Sequence, residues 1–260
     1  AKSLHCDVVS LSEDFTHHDA HAYSAVAFFE SHADVKEYIN KKFHIFVGDG
    51  FGNNQEVLSI YEGHFDERSS LHLILLKKYV DYFNSLGLLY QYATSFVGMR
   101  EHEDEYKFLG YESHLQEYFH DIQIDYLLYK AKQFALQWLD RARVESADIE
   151  NDVTFINLDY LKNVKSKFYD LFQSIVDSAP EKIETIFQKR VVIGFYVQTI
   201  LESVYERLLR RYDVKNILVS GGLHFNVKLN NLILRTIPGF VCCMPLAGDQ
   251  GAAIGIYRKY

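Results

Sequence analysis

The segment NILVSGG at residues 216–222 decides the fold class, because it joins a short run of buried-type residues directly to two glycines. Apolar runs of this length that end in glycine are typical of strands buried on both faces of a sheet. An amphipathic helical pattern follows from about His224 to Arg235, and a second strand-like run, FVCCM, occupies residues 240–244. A Gly-rich loop at residues 245–251 leads into a closing helix over residues 252–258. This order of elements predicts an α/β fold with crossover connections.

The first third of the chain is expected to add strands to the same kind of sheet. FHIFVG at residues 43–48 and VLSIY at residues 57–61 flank a Gly/Asp/Asn cluster, and this pattern predicts a hairpin. The middle of the chain has apolar residues mostly at helical intervals. We therefore predict helices over residues 71–97 with an interruption at Gly87, 115–143, 158–176 and 183–212.

Composition narrows the functional class. The 260 residues are 48% hydrophobic, which is enough for a substantial core, and their net charge of -8 argues against bulk binding of nucleic acid. The three cysteines, Cys6, Cys242 and Cys243, are odd in number and two are adjacent, so no disulfide framework is indicated. No apolar run is long enough to cross a bilayer, and residues 1–5 do not resemble a signal peptide. We therefore expect a cytoplasmic protein that does not enter a membrane.

The sharpest local feature is THHDAHAYSA at residues 16–25. His17 and His21 are four residues apart, so on a helix both side chains lie on one face at a spacing suited to chelating a metal. The pair alone is more often a polar or partly buried helix face. A third ligand is needed, and spacing alone does not identify it.

Three glycine-containing motifs are further candidates for a binding site. The turn VGDGFG at residues 47–52 brings backbone close to a phosphate or is a plain β-turn. The segment SGGLHFN at residues 220–226 lets a nucleotide approach the start of a helix, or the two glycines serve only packing. Asp249, between glycines in GDQG, ligates a metal or caps the final helix. Each motif is weak on its own.

Taken together and in order, these motifs give the chain a resemblance to the O-carbamoyltransferases of the nodulation-factor, cephamycin and tobramycin type. More distantly, the chain resembles the tRNA threonylcarbamoyladenosine synthase family. The resemblance also includes SLGLLY at residues 85–90, FVG at 96–98, EYKFLGY at 105–111 and PLAGDQGAAIG at 245–255. It implies an actin-like ATPase (ASKHA) fold of two lobes.

The resemblance also implies the roles of individual residues. His17 and His21 would be metal ligands and Asp249 the third, with iron as the metal and zinc or manganese as alternatives. His18 would lie beside the metal as a catalytic residue. The implied residues for ATP or carbamoyl-adenylate are Asp49, Gly50, Gly52, Glu105, Lys107, Gly221, Gly222 and Asn226. The implied reaction moves a carbamoyl group from carbamoyl-adenylate, made from ATP and carbamoyl phosphate, to a hydroxyl of a small acceptor.

Two parts of the family pattern are not found in the chain. Family members have an upstream hairpin with a further histidine, a candidate catalytic base, and a C-terminal YrdC-like domain that makes carbamoyl-adenylate. We therefore expect an incomplete N-terminal lobe, with residues 1–70 as its remainder and residues 71–260 as the helical middle and the C-terminal lobe. The YrdC-like domain is expected on another segment or subunit, and activity is expected to depend on it. A homodimer is also compatible with the sequence.

Three other functions share part of the pattern. The tRNA-modifying branch is disfavoured by the acidic balance and by residues 85–111, which look like the O-carbamoyltransferase branch. A sugar kinase of the same fold would share the Gly-rich turns but needs no histidine pair. A nucleotide-binding module without activity would keep only the fold.

Overall fold

The computed structural model describes residues 15–141, 143–144, 158–179 and 182–259. Within these residues the chain forms a mixed α/β fold around one six-stranded sheet. The strands are β1 (Phe43–Gly48), β2 (Glu56–Phe65), β3 (Leu71–Val80), β4 (Arg143–Val144), β5 (Ile217–Ser220) and β6 (Val241–Cys243). Their order across the sheet is β4-β3-β2-β1-β5-β6. The α/β class predicted from the sequence is confirmed.

Strand direction explains where a site can form. β1 pairs antiparallel with β2, and β2 pairs antiparallel with β3. On its other side β1 pairs parallel with β5, which in turn pairs parallel with β6. The carboxyl ends of β1, β5 and β6 therefore meet at one edge of the sheet, where ligands of α/β folds bind. Asp49, Gly221 and the loop at residues 244–251 all lie at this edge.

Helices cover both faces of the sheet. They are α1 (His17–His32), α2 (Leu86–Phe96), α3 (Glu105–Phe108), α4 (Leu115–Tyr118), α5 (Asp121–Arg141), α6 (Leu158–Asp177), α7 (Ile186–Arg211), α8 (Val227–Thr236) and α9 (Ala252–Lys259). The smaller core lies between α1 and the sheet and contains Phe29, Phe43 and Ile45. The larger core, on the other face, contains Phe46 and Val219 together with residues of α2 and α5 to α8. All six residues of β1 are buried, as expected for a central strand covered on both faces.

Helix α9 packs closely against α1 because a glycine stands at their crossing. A Cβ atom added at Gly255 would lie 1.7 Å from the carbonyl oxygen of Ala20 and 2.8 Å from the amide nitrogen of Ser24. No side chain fits in that space, since real Cβ contacts do not fall below about 3 Å. Gly255 therefore allows the two helices to approach each other, and this contact brings Asp249, just before α9, near the start of α1.

One secondary-structure prediction is wrong. Residues 71–80 form strand β3 and not the first part of a helix, which begins only at Leu86. The run LHLILLKKYV is rich in Leu and Lys, residues with good helix propensity, but pairing along nearly all of β2 overrides that preference. The predicted boundary at residues 70 and 71 falls in the turn between these two paired strands, and the division into lobes remains a prediction.

Other predictions agree with the structure. The hairpin of residues 43–61 is confirmed as β1 and β2, and the helices expected at residues 158–176 and 183–212 are present with shifted ends. The helix expected at residues 115–143 is divided into α4 and α5 by a break at residues 119–120, and Arg143 lies in β4. Cys242 and Cys243 are free thiols, whereas Cys6 lies outside the described residues. Among the helices of the described part of the chain, none has the length and apolar character that crossing a membrane would require.

Candidate metal centre and its cavity

Helix α1 places His17 and His21 at the edge of the sheet where β1 ends. Thr16 and Asp19 form a capping box, so the helix begins at His17. The backbone N–H of His17 donates to Oδ1 of Asn53 at 2.7 Å, which ties the start of the helix to the loop after β1. As the four-residue spacing predicted, the imidazoles lie side by side, with 3.1 Å between Nε2 of His17 and Nε2 of His21.

Two carboxylates face these imidazoles. Oδ2 of Asp49 lies 3.1 Å from Nε2 of His17 and 3.2 Å from Nε2 of His21. Oδ1 of Asp249 lies 3.2 and 3.6 Å from the same two nitrogen atoms. The three residues predicted as ligands therefore come together, and Asp49, which we predicted on the phosphate side, joins them. Its signal in the sequence is an Asp directly after a buried strand, opposite the glycines that follow β5.

The four side chains have the spacing of a coordination sphere. One ligand atom from each of them lies within 4.8 Å of every other. Ligand atoms about 2.1 Å from a common ion stand about 3.0–3.4 Å apart in octahedral or tetrahedral arrangements, close to the distances found here. Two imidazole nitrogens and two carboxylate oxygens suit a divalent transition metal such as iron, zinc or manganese. The residues therefore fit the metal that the resemblance implies.

Electrostatics tie the four groups together. Burial opposes ionisation of Asp49, but the hydrogen bond from His17 and the neighbouring imidazole of His21 outweigh it and hold the pKa of this carboxyl well below its usual range. The hydrogen bond with Asp49 raises the pKa of His17. His21 and Asp49 are largely shielded, with side-chain exposures of 0% and 14%, whereas Asp249 is 80% exposed. The inner part of the site is preformed, and Asp249 closes it from the solvent side.

A cavity of about 700 Å³ opens from this cluster. Its walls include His17 and Asp249 together with six of the predicted nucleotide-binding residues: Asp49, Gly50, Gly52, Glu105, Gly222 and Asn226. Among the residues that line it in the described part of the chain, there is no lysine or arginine. Lys107 does not line the cavity, and its ammonium group pairs with Asp104 at 2.6 Å. The cavity walls formed by the described residues are therefore acidic. They provide no lysine or arginine side chain that could bind a phosphate.

Gly221 lies next to these walls but does not line the cavity itself. Its backbone has φ +92°, a conformation that side chains rarely adopt, and an added Cβ would lie 2.2 Å from the carbonyl oxygen of Gly48. Its N–H donates to the carbonyl of Ala247 at 2.8 Å. Gly221 thus sets the close approach of the ends of β1 and β5, and its predicted contact with nucleotide remains a prediction.

Two backbone N–H groups of the turn after β1 donate hydrogen bonds to acceptors within the turn and at the start of β2. The N–H of Gly50 donates to Oδ1 of Asp49 at 2.8 Å, and the N–H of Gly52 donates to the carbonyl of Glu56 at 2.7 Å. Both donors that we expected to meet a phosphate therefore have acceptors within the chain. The turn positions the Asp49 carboxylate, and phosphate contact by these two glycines remains a prediction.

His18 lies away from the cavity. It is fully buried, with Nδ1 2.8 Å from Oγ of Ser59 and with its ring against Gly52, while Nε2 has no partner among the described residues. Burial lowers the pKa of His18 to about 3, so the ring is neutral near pH 7. A base must reach the proton that it removes. This geometry gives His18 no direct contact with a substrate in the cavity, and its catalytic role remains a prediction.

Asn226 is held by a partner that the sequence did not suggest. Its Nδ2 donates to Oε1 of Gln198 on α7 at 2.8 Å, and its Oδ1 accepts the N–H of Leu229 at 2.9 Å, capping α8. Gln198 is buried and also donates to Glu202 at 2.7 Å. A glutamine within an apolar helical pattern gives no signal in the sequence. Its role is evident only once α7 lies against α8.

A second buried histidine yields a pH-dependent prediction. Burial lowers the pKa of His224 to about 4, from its ordinary value of 6.5. The unfolded chain therefore binds a proton more readily, so the free energy of unfolding falls as pH drops from about 6.5 to about 4. This histidine alone should account for a loss of roughly 2 kcal/mol between pH 7 and pH 4.5. Urea unfolding of the wild type and of His224→Gln at both pH values measures it. An equal loss in the two proteins would contradict the prediction.

Comparison with known proteins places the chain in a family. Residues 2–257 match the family described as carbamoyltransferase N-terminus. The chain is 29% identical over 184 residues to the uncharacterized protein sll1178 of Synechocystis sp., covering 66% of this chain and 26% of that protein. It is 24% identical over 254 residues to the uncharacterized protein MJ1051 of Methanocaldococcus jannaschii, covering 93% of this chain and 39% of that protein. The chain thus spans well under half the length of both relatives.

Solved structures show weaker similarity. The activator of the 2-hydroxyisocaproyl-CoA dehydratase from Clostridium difficile, with bound ADPNP, aligns at 11% identity and a TM-score of 0.38, covering 92% of this chain and 65% of the activator. HypF of T. kodakarensis aligns at 13% identity and a TM-score of 0.38, covering 94% of this chain and 36% of HypF. These two structural alignments are too weak to characterise this chain, whereas the family match extends over nearly all of it. The chain belongs to the carbamoyltransferase N-terminus family.

Proposed function

We propose that this chain forms part of the actin-like, two-lobed catalytic domain of an O-carbamoyltransferase that takes its carbamoyl group from carbamoyl-adenylate. Family membership supports the class of reaction. The observation that carries the proposal is the convergence of His17, His21, Asp49 and Asp249 at the mouth of the cavity. A sugar kinase of similar fold needs no such group of ligands.

The charge of the cavity supports a metal-dependent site. The donor carries a phosphate, and an anion next to Asp49 and Asp249 is repelled unless a cation lies between them. Since no lysine or arginine is found among the described residues that line the cavity, a divalent metal is the natural source of positive charge. Two ionised carboxylates and two neutral imidazoles would neutralise its charge, and its open positions would remain available to the donor.

The chain's own residues would bind and orient the donor. His17, His21 and the two aspartates would hold a metal that supplies Lewis-acid polarisation of the carbamoyl group when bound. Asn226, fixed by Gln198, presents a rigid wall for the nucleoside end. In the transfer, the acceptor oxygen bonds to the carbamoyl carbon, the bond from that carbon to the AMP oxygen breaks, and the hydroxyl proton passes to a base.

Other components are part of the proposal. Synthesis of carbamoyl-adenylate from ATP and carbamoyl phosphate would require a YrdC-like domain on another segment or subunit. The acceptor would be a small molecule with a free hydroxyl. Iron is the proposed metal, and a cytoplasmic location and a homodimer are consistent with the sequence.

Binding of the donor is expected to depend on the metal. A non-hydrolysable carbamoyl-adenylate analogue should bind the metal-loaded chain at least about tenfold more tightly than the chelator-stripped chain, a difference of about 1.4 kcal/mol. Isothermal titration calorimetry of both forms with the same preparation provides the measurement. Adenosine, which lacks both the phosphate and the carbamoyl group, is the control ligand and should show a smaller difference. Equal affinity of the analogue for both forms would contradict the proposed role of the metal.

A further inference from the structure

The two histidines of the centre differ in what lies behind their rings. His17 is partly exposed, whereas the side chain of His21 is fully buried. On the side away from the carboxylates, Nδ1 of His21 lies 3.5 Å from Oγ of Ser220, the last residue of β5. Oγ of Ser220 lies 3.3 Å from Oγ of Ser24, one turn further along α1. Both serines are completely buried, so bulk water does not complete their hydrogen bonds.

The direction of these hydrogen bonds follows from counting protons. The hydroxyl of Ser24 donates its one proton to the carbonyl of His21 at 2.7 Å, so its oxygen can only accept from Ser220. Ser220 therefore donates to Ser24 and has a lone pair facing His21. That lone pair requires a proton on Nδ1 of His21. The other tautomer would use the single Ser220 proton for Nδ1 and leave the contact between the serines without a hydrogen.

The contact of His21 with Ser220 favours a proton on Nδ1, whereas the two carboxylates favour a proton on Nε2. Asp49 and Asp249 lie 3.2 and 3.6 Å from Nε2 of His21, and both would favour a proton on that nitrogen. A proton there would occupy the lone pair needed for coordination. An acceptor on the opposite nitrogen shifts the proton to Nδ1, as the outer partners of metal-bound histidines generally do.

We infer that Ser220 and Ser24 are positioning residues that hold His21 as its Nδ1–H tautomer, so that its Nε2 lone pair faces the metal position. The inference rests on the proposed metal centre. It assigns a role to two residues from different elements, one at the end of β5 and one in the second turn of α1. Both would act on the reaction through His21.

The test compares two buried serines that each hydrogen-bond a histidine of α1. Ser220→Ala should weaken Zn²⁺ and Co²⁺ binding by about 10–100-fold, the usual cost of losing an outer partner of a ligand. Ser59→Ala, which removes the hydrogen bond to His18, is the matched control and should change affinity less than about threefold, within the scatter expected when no ligand is disturbed. Competition with a chromophoric chelator gives both values, and urea unfolding shows whether the two variants lose similar stability.

A second readout needs no metal. Long-range ¹H–¹⁵N correlation spectra of the metal-free protein at pH 8 should show the proton of His21 on Nδ1 in the wild type and a shift toward Nε2 in Ser220→Ala. Ser220→Thr, which keeps the hydroxyl, should restore both the tautomer and the affinity. Equal affinities of Ser220→Ala and Ser59→Ala, or an unchanged tautomer, would overturn the inference. Failure of the wild type to bind either metal would instead overturn the proposed function, while the spectra would still test the tautomer.

Discussion

Replacing Asp49 by alanine is expected to weaken binding of a divalent metal at least about 100-fold, the upper end of the cost of losing an outer partner of a ligand. Asp49 contacts both histidines, at 3.1 and 3.2 Å, and its side chain is only 14% exposed. Water entering its place would be a weaker ligand without charge. Chelator competition with Zn²⁺ or Co²⁺, together with metal analysis of the purified protein, measures the change.

Two matched variants sharpen this test. Asp66→Ala removes a partly exposed aspartate from the turn between β2 and β3 and should leave metal affinity unchanged. Asp249→Ala should have a smaller effect than Asp49→Ala, because the Asp249 side chain is 80% exposed and lies 3.6 Å from His21. Retention of wild-type affinity by Asp49→Ala would remove Asp49 from the ligand set and leave the three ligands that the resemblance implies.

Replacing Gly255 by valine is expected to lower the free energy of unfolding by about 3 kcal/mol or more, at the upper end of the usual cost of overpacking. The first atom of any side chain there would lie 1.7 Å from a backbone carbonyl of α1. A backbone cannot move aside by changing a rotamer, so α9 itself must shift away from α1. Urea unfolding followed by circular dichroism measures the loss.

The same substitution should also weaken the metal centre. Asp249 lies three residues before α9 begins, so a shift of this helix carries its carboxylate away from His17 and His21. Ile254→Ala, at a more exposed position of the same helix, is the control and should cost less than about 1 kcal/mol. If Gly255→Val has wild-type stability and wild-type metal affinity, the contact between the helices does not set the position of Asp249.

Much of the site could be predicted because its signals are local. The spacing of His17 and His21 fixes one helix face, and Thr16 with Asp19 fixes where that helix begins. The two glycines after residue 220 mark a strand end beside a helix. These features depend on hydrogen bonds and dihedral angles within a few residues, which the order of amino acids specifies directly.

Long-range pairing determined the parts that local patterns missed or misplaced. The residues of β3 carry a mixed apolar pattern, and their long ladder with β2, with a short one to β4, makes them a strand. Asn226 and Gln198 are 28 residues apart and meet because α7 and α8 pack together. His18 follows a ligand directly in sequence, yet its ring points away from the cavity into the interior, since neighbouring residues on a helix face different directions.

The sequence by itself determined the α/β class and the helix face shared by His17 and His21, and its motifs in order indicated the family and, through that resemblance, Asp249 as a third ligand. The tertiary structure alone decided that Asp49 joins them and that Ser220 lies behind His21. The physical reason is the parallel pairing of β1 with β5, which brings residues about 170 positions apart to one edge of the sheet. No local pattern specifies which strand ends become neighbours, because that choice is made by burial of both faces of the completed sheet.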